Sequence, residues 1–247
     1  MKEKIVQIYH CLRYSKARKM LRKGIKFEHF RELNQPWLTA LDIRSVLDIG
    51  ANTGQFAKLA REVFPEANLY SFEPLPECFK RLQEAMGSDG RFHAYNMAIG
   101  KEAAFLDFYR SDHSPSSSFL EMEESHKQAF PESNKGHKSS IQVEVQTLDH
   151  FFANNKIESP VLLKIDVQGF EGEVLKGAGE SLANVAVVII EMSLIRLYKD
   201  QLLFHDIYEL MHKNGFSYHG NLSQMSNPRS GEIVQIDAIF INESKKK

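Results

Sequence analysis

The segment Ser45-Val-Leu-Asp-Ile-Gly-Ala-Asn-Thr-Gly54 constrains this chain more than any other, and Glu73 follows nineteen residues after Gly54. Residues 46–49 form a short, mostly apolar run that ends at Gly50. Gln55–Val63 then sets Phe56, Leu59, Ala60 and Val63 on one helical face, and Pro65 closes it. A buried strand, a tight turn, a helix start and an acid at the end of the next strand are what an α/β fold needs to hold a nucleoside. In doubly wound folds the ligand crevice lies beyond the carboxyl ends of the strands, at the switch point. The turn therefore fixes where a site must lie before any catalytic residue is named.

The rest of the chain keeps the same alternation. Residues 68–73 read as a second strand, Pro76–Met86 as a helix and residues 92–99 as a third strand. Residues 161–167 give a fourth strand, and Glu171–Lys176 starts a helix behind it. Residues 185–191 are a fifth strand, apolar up to Glu191, as a parallel strand buried on both faces requires. A helix over 202–214 ends at Gly215, and residues 216–219 and 233–241 read as closing strands. This β-α-β order predicts an α/β, doubly wound, mostly parallel sheet. Residues 101–147 break the rhythm: 104–109 and 141–146 alternate like strands around the polar stretch 111–140. We read them as a β-hairpin-like insertion carrying a long loop, functional or mobile as loops of that length usually are.

The domain organisation that follows is a basic helical arm over residues 1–44 and one domain over 45–247, with the insertion at about 101–147. The arm is set apart by charge: residues 1–31 hold ten Lys and Arg against two Glu. Ile5, Ile8, Leu12 and Leu21 can form an apolar stripe along it. Such a segment either packs on the domain as a solvated helix or touches an anionic membrane surface or lipid-linked substrate. The whole chain has a net charge of −1, which gives no general field for nucleic acid. Its two cysteines, Cys11 and Cys78, make no disulfide framework and no zinc motif. With no apolar run of about 20 residues and no signal-peptide core, a cytoplasmic location is expected. Oligomeric state leaves no mark in the sequence.

The turn also discriminates between cofactors. A dinucleotide fingerprint needs G-x-G-x-x-G so that the backbone can meet a pyrophosphate. Here the glycines are four apart, Asn52 stands between them, and Asp48 adds negative charge where a pyrophosphate would lie. S-adenosylmethionine carries no phosphate, and its ammonium and sulphonium charges favour nearby carboxylates. Glu73 is placed to accept both ribose hydroxyls. Electrostatics thus prefer S-adenosylmethionine to NAD(P).

Five blocks occur in order: Asp48-Ile-Gly-Ala-Asn-Thr-Gly54, Ser71-Phe-Glu-Pro74, Asn96-Met-Ala-Ile-Gly100, Thr147-Leu-Asp149 and Leu163-Lys-Ile-Asp-Val-Gln-Gly-Phe-Glu171. Together they resemble the FkbM family of S-adenosylmethionine-dependent methyltransferases over about residues 45–242. The last block is the most specific, and residues 1–44 match nothing in the family. The resemblance implies a Rossmann-like class I methyltransferase fold with a seven-stranded sheet and methyl transfer to oxygen of a saccharide, glycolipid or polyketide. It implies that Gly50, Asn52 and Gly54, with Ala51 in the same turn, face the methionine part and that Glu73 faces the ribose. Phe72 and Pro74 flank that acid, and Asn96 and Ala98 close the third strand near adenine. Asp48 bonds either the turn or the cofactor's amino-acid part.

Methyl transfer to a neutral hydroxyl calls for a positioned general base. Asp166 ends the fourth strand beside the crevice, and Lys164, two residues earlier, points to the same face. The pair could hold and deprotonate an acceptor. Glu171 could position substrate or cap its helix, and Glu191 could bind substrate or cap the next segment. His113 and the 116–118 serines could cover the site as a lid, while His150 belongs to a helix start. The spacing demands no metal. Rival readings are an N-methyltransferase, a non-catalytic binding module on the same fold and an NAD(P) oxidoreductase. Amino-methylating enzymes of nucleic acids carry an Asn/Asp-Pro-Pro-aromatic motif where this chain has Asp166-Val-Gln-Gly-Phe170.

Overall fold

A computed structural model describes residues 14–110, 117–123 and 139–245. Three short helices come first: α1 (Ser15–Arg22), α2 (Phe27–Leu33) and α3 (Pro36–Thr39). Then follow β1 (Ser45–Ile49), α4 (Gln55–Val63), β2 (Asn68–Phe72), α5 (Pro76–Met86), β3 (Phe92–Tyr95), β4 (Ala98–Ile99), β5 (Ala104–Arg110) and β6 (Ser139–Gln146). The second half holds α6 (Leu148–Asn154), β7 (Val161–Ile165), α7 (Glu171–Lys176), β8 (Val185–Ser193), α8 (Phe204–Lys213), β9 (Phe216–Ser226) and β10 (Ile233–Asn242).

Seven strands form one sheet in the order β3-β2-β1-β7-β8-β10-β9. Every pair is parallel except those made by β10, which runs antiparallel between β8 and β9. The order reverses between β1 and β7, so their carboxyl ends flank the switch point. β1, β7 and all of β8 except Glu191 are buried, which is why their sequences read as apolar runs rather than alternating ones. Side chains still alternate between faces. Leu47, Leu163, Val188 and Phe240 pack with Phe151, Val174 and Ile207 of the helices on one side. Val46, Leu162, Ile189 and Ile239 pack on the other with α4 and with Met20, Phe30, Leu33 and Leu38 of α1–α3.

The third strand is shorter than expected. Its hydrogen bonding to β2 stops at Tyr95, the chain bends at Asn96, and Ala98–Ile99 joins a separate three-stranded sheet, β4-β6-β5. The strand pair in the insertion is present, since β5 and β6 are antiparallel from Ala104–Val145 to Arg110–Ser139. The first closing strand runs on to Ser226 rather than stopping at residue 219.

Helices α1–α3 cover the Val46 face of the sheet. Phe30, Leu33 and Leu38 are buried there, Lys19 and Lys23 pair with Glu62 of α4, and Trp37 lies against His219 of β9. Leu21 is exposed, so it belongs to no buried stripe; Ile5, Ile8 and Leu12 lie outside the described residues. No described helix is long and apolar enough to cross a membrane.

Candidate active site

The turn after β1 is stitched to β2 by the backbone: the amides of Gly50 and Ala51 both donate to the Phe72 carbonyl at 3.0 Å. Glu73 completes the stitch. One carboxylate oxygen accepts the Asn52 amide at 2.8 Å and the other accepts the Leu75 amide at 2.9 Å. Asn52 has a positive φ of 48°, which the short bond to Glu73 helps to hold. Asp48, Gly50, Ala51, Asn52, Phe72, Glu73, Pro74 and Ala98 all line one cleft, together with Lys164, Asp166 and Gln168.

Two residues expected at the cofactor are elsewhere. Gly54 (φ 85°) heads α4, and a Cβ added to it would meet Leu82 of α5 at 3.0 Å. It permits helix–helix contact, not ligand approach. Asn96 does not line the cleft; its amide donates to the carbonyls of Glu73 and Pro74 at 2.9 and 3.0 Å and so fixes the loop that presents Glu73. Gly50 serves a third purpose. A Cβ there would fall 1.9 Å from the Asp166 carbonyl oxygen, and the Asp166 amide donates to the Ile49 carbonyl at 3.0 Å. The glycine is what lets the loop after β7 sit against the turn after β1.

Asp48 is 3% exposed, and its Oδ2 has no hydrogen-bond partner. Burial pushes its carboxyl up to about 7, against the opposing pull of Lys164. Glu73 is also raised to about 7, by burial, with the two amide bonds acting against it. A buried acceptor left without a donor is costly, and at Asp48 the Lys164 charge and the neighbouring Ser71 hydroxyl offset that cost only in part. Glu73 uses two of the roughly four lone-pair positions a carboxylate offers, so it retains acceptor capacity.

Lys164 reaches along the sheet face from β7. Its ammonium donates to Asp166 Oδ2 at 3.2 Å and to Asp237 Oδ1 of β10 at 3.0 Å. Burial works against that charge, but Asp166, Asp237 and Glu191 outweigh it and hold the lysine above its ordinary value. Lys164 is therefore a fixed cation and never a base near neutral pH. The other Asp166 oxygen accepts the Gln168 amide at 2.9 Å, and the same amide donates to Glu191 at 2.9 Å. The Tyr198 hydroxyl donates to the Gln168 side-chain oxygen at 2.9 Å. Asp166 is thus gripped on both oxygens yet remains about one-third exposed, at 36%.

Glu171 is not at the cleft. It is 3% exposed, and one oxygen accepts the amides of Val167 and Gly169, each at 3.1 Å. The sequence expectation of a catalytic Glu171 gives way to a loop clamp: it fixes the turn that carries Asp166. Burial raises it to about 7. Glu191 holds Gln168 and is raised well above its ordinary value by burial and then by Asp166 and Glu171.

The insertion contributes walls. Phe108, Ser117 and Phe119 line the cleft. The Ser118 hydroxyl donates to the Gln168 carbonyl at 2.6 Å, and Phe119 stands between Phe108 and Phe170, 4.7 and 4.6 Å from their ring centres. His113 and Ser116 lie outside the described residues. Thr147 caps α6 through the His150 amide, so His150 is at a helix start, as expected. Among the described residues no group of three or more His, Cys, Asp and Glu side chains could hold a metal ion. Asp237, Gln168, Tyr198, Phe108 and Phe119 were missed by sequence reasoning. Gln168 alone carried a signal, being a polar residue two places from Asp166 in the most specific block.

The chain has recognisable relatives among known proteins. A model of the methyltransferase FkbM domain matches residues 48–218. The chain is 31% identical over 175 residues to the 2-O-methyltransferase NoeI of Sinorhizobium fredii, covering 67% of this chain and 70% of that protein. It is 29% identical over 146 residues to the hexuronic acid methyltransferase AglP of Haloferax volcanii, covering 59% and 54% respectively. In fold it is similar to the crystal structure of a methyltransferase FkbM from Methylobacillus flagellatus KT. The TM-score is 0.50 at 13% identity, over 85% of this chain and 47% of that one. The chain thus spans about half the length of that structure.

Proposed function

The chain belongs to the FkbM methyltransferase family, and we propose that it transfers a methyl group from S-adenosylmethionine to a hydroxyl of a saccharide, glycolipid or similar hydroxylated metabolite. The residues of the cleft fit that cofactor. Asp48 presents a buried, unpartnered oxygen that suits a cationic group, and Glu73 keeps lone pairs for ribose hydroxyls. Gly50, Ala51 and Asn52 would border the amino-acid part, and Phe72, Pro74 and Ala98 the nucleoside. When bound, S-adenosylmethionine supplies an electrophilic methyl carbon on a sulphonium.

The chain's own residues then have two tasks, to orient the acceptor and to receive its proton. The observation that carries this reading is Asp166, exposed to the cleft while Lys164 and Gln168 fix both its oxygens. An anchored carboxylate facing the cleft can accept a proton from an acceptor hydroxyl and pass it to water. Lys164, always protonated, cannot compete for that proton. Phe108 and Phe119 give the cleft an apolar wall that can exclude water. The names of NoeI and AglP, a 2-O-methyltransferase and a hexuronic acid methyltransferase, support a saccharide-like acceptor. An oxidoreductase reading falls with the family assignment. Transfer to nitrogen is disfavoured by the absence of the proline motif after Asp166.

Two measurements test the proposal. Calorimetry should show S-adenosylmethionine and S-adenosylhomocysteine binding; no heat with either would end it. Asp166→Asn should keep cofactor affinity and lose roughly 10²–10⁴ in turnover, the usual contribution of a positioned general base. A variant with full turnover removes Asp166 from that role.

A further inference from the structure

Lys164 is shared, and its second carboxylate comes from a distant part of the chain. Lys164 pairs in register with Asp48 on one side and Ile189 on the other, while Asp237 pairs with Glu191 and Ser223. These residues lie on one face of the sheet, the face covered by α1–α3. β10 is two strands from β7, roughly 10 Å away at the usual strand spacing. The lysine stem crosses β8 to bring its ammonium to Asp237 at 3.0 Å. The Ser223 hydroxyl of β9 donates to the other Asp237 oxygen. Asp237 is fixed from both sides, and its side chain is 23% exposed against 7% for Lys164.

An ammonium paired with Asp166 alone would quench the carboxylate it orients. Opposite charge within a few ångströms favours the charged form and weakens the base. Sharing the ammonium between two carboxylates leaves the trio with a net charge of −1. We propose that Asp237 is a positioning residue for methyl transfer: it anchors the Lys164 ammonium and draws off part of its field, so that Asp166 stays oriented yet basic enough to take the acceptor's proton. This rests on the reading of Asp166 as the base. The other groups facing the trio are Glu191 of β8, Glu171 of α7, Asp48 of β1, Tyr198 and, from α2, His29. His29 is held below its ordinary value by burial and Lys26, so it brings little positive charge near neutral pH. Burial alone would raise Asp237, but Lys164 and Ser223 reverse this and keep it ionised.

Asp237→Asn is close to isosteric. It keeps an oxygen for Lys164 and a partner for Ser223 and removes only the charge. With S-adenosylmethionine saturating, the acid limb of kcat/KM for the acceptor should move to lower pH by about one unit, as expected when a charge a few ångströms from a partly buried base is lost, with a plateau lowered roughly threefold for the weaker base. Lys164→Met should move the limb the other way. Turnover is read with S-adenosylmethionine and a panel of neutral methyl glycosides. A second readout needs no acceptor: carboxyl ¹³C spectra of aspartate-labelled protein across pH, with the Asp166 resonance assigned by its absence in Asp166→Asn. That resonance should titrate at lower pH in Asp237→Asn and at higher pH in Lys164→Met. An unmoved Asp166 resonance in a folded Asp237→Asn overturns the proposal. Full turnover in Asp166→Asn instead overturns the base assignment on which it stands, so the two failures are distinct.

Discussion

Asp48 is ionised only at a cost in the ligand-free protein, because it is buried with one oxygen unpaired. Asp48, Glu73 and Glu171 are each raised to about 7 by burial. A raised carboxyl binds more protons folded than unfolded between its two values, so stability falls as pH rises through that window. The ligand-free protein should lose thermal stability from pH 5 to pH 8, by more than about 5 °C at 2–4 °C per kcal/mol for a chain of this size. Melting curves that are flat across this range would contradict the assignment. Ligand binding should run the opposite way. A cationic partner needs Asp48 ionised, so affinity for S-adenosylmethionine should rise with pH through about 7. Asp48→Asn should weaken binding and reduce that rise, the remainder coming from Glu73. The loss of one charge-assisted hydrogen bond, about 1.5–3 kcal/mol, is roughly 10- to 150-fold in affinity. Asp48, Glu73 and Asp166 were legible in the sequence because each sits at the end of a strand that the local pattern marks. Asp237 was not, because its partner Lys164 lies 73 residues away and only the sheet order brings them together.

Among the elements, the turn after β1 and the loop after β7 are one unit. Gly50→Ala should drive the Asp166 carbonyl away from a Cβ at 1.9 Å and force φ 85° on an alanine. A loss of at least 3 kcal/mol is expected, by analogy with other strained positions, and calorimetric melting with cofactor titration will read both stability and site damage. Helices α1–α3 are a structural cover for the sheet face that carries Lys164 and Asp237. Phe30→Ala, in a side chain 3% exposed, should cost about 3–5 kcal/mol. Unchanged urea unfolding would show that the cover contributes nothing. The element pattern was readable wherever a strand is buried on both faces. It failed at residues 92–99, where the alternation continues through Asn96 although the chain changes sheets. It also gave no account of 117–123, since Phe119 finds its partners, Phe108 and Phe170, through folding and not through spacing.

For the molecule as a whole, the strand order places two groups of charged residues on adjacent strands. β1 and β2 present the carboxylates suited to a cofactor; β7, β8 and β10 present the charged trio and Glu191. The βα alternation made the parallel part of this sheet predictable, and the family resemblance supplied the seven strands. The position of β10 between β8 and β9 is a long-range choice that no local signal records. It also has a temporal consequence. During synthesis the N-terminal part of a domain is made first, and β9 has no neighbour in the sheet until β10 has been made to lie beside it. β1, β2 and β7, with Asp48, Glu73 and Asp166 at their ends, can therefore be made while Lys164 still lacks Asp237. A growing chain thus holds the acids of the cleft before it holds the second carboxylate that shares the Lys164 ammonium, and the charged trio is closed only when β10 is laid between β8 and β9.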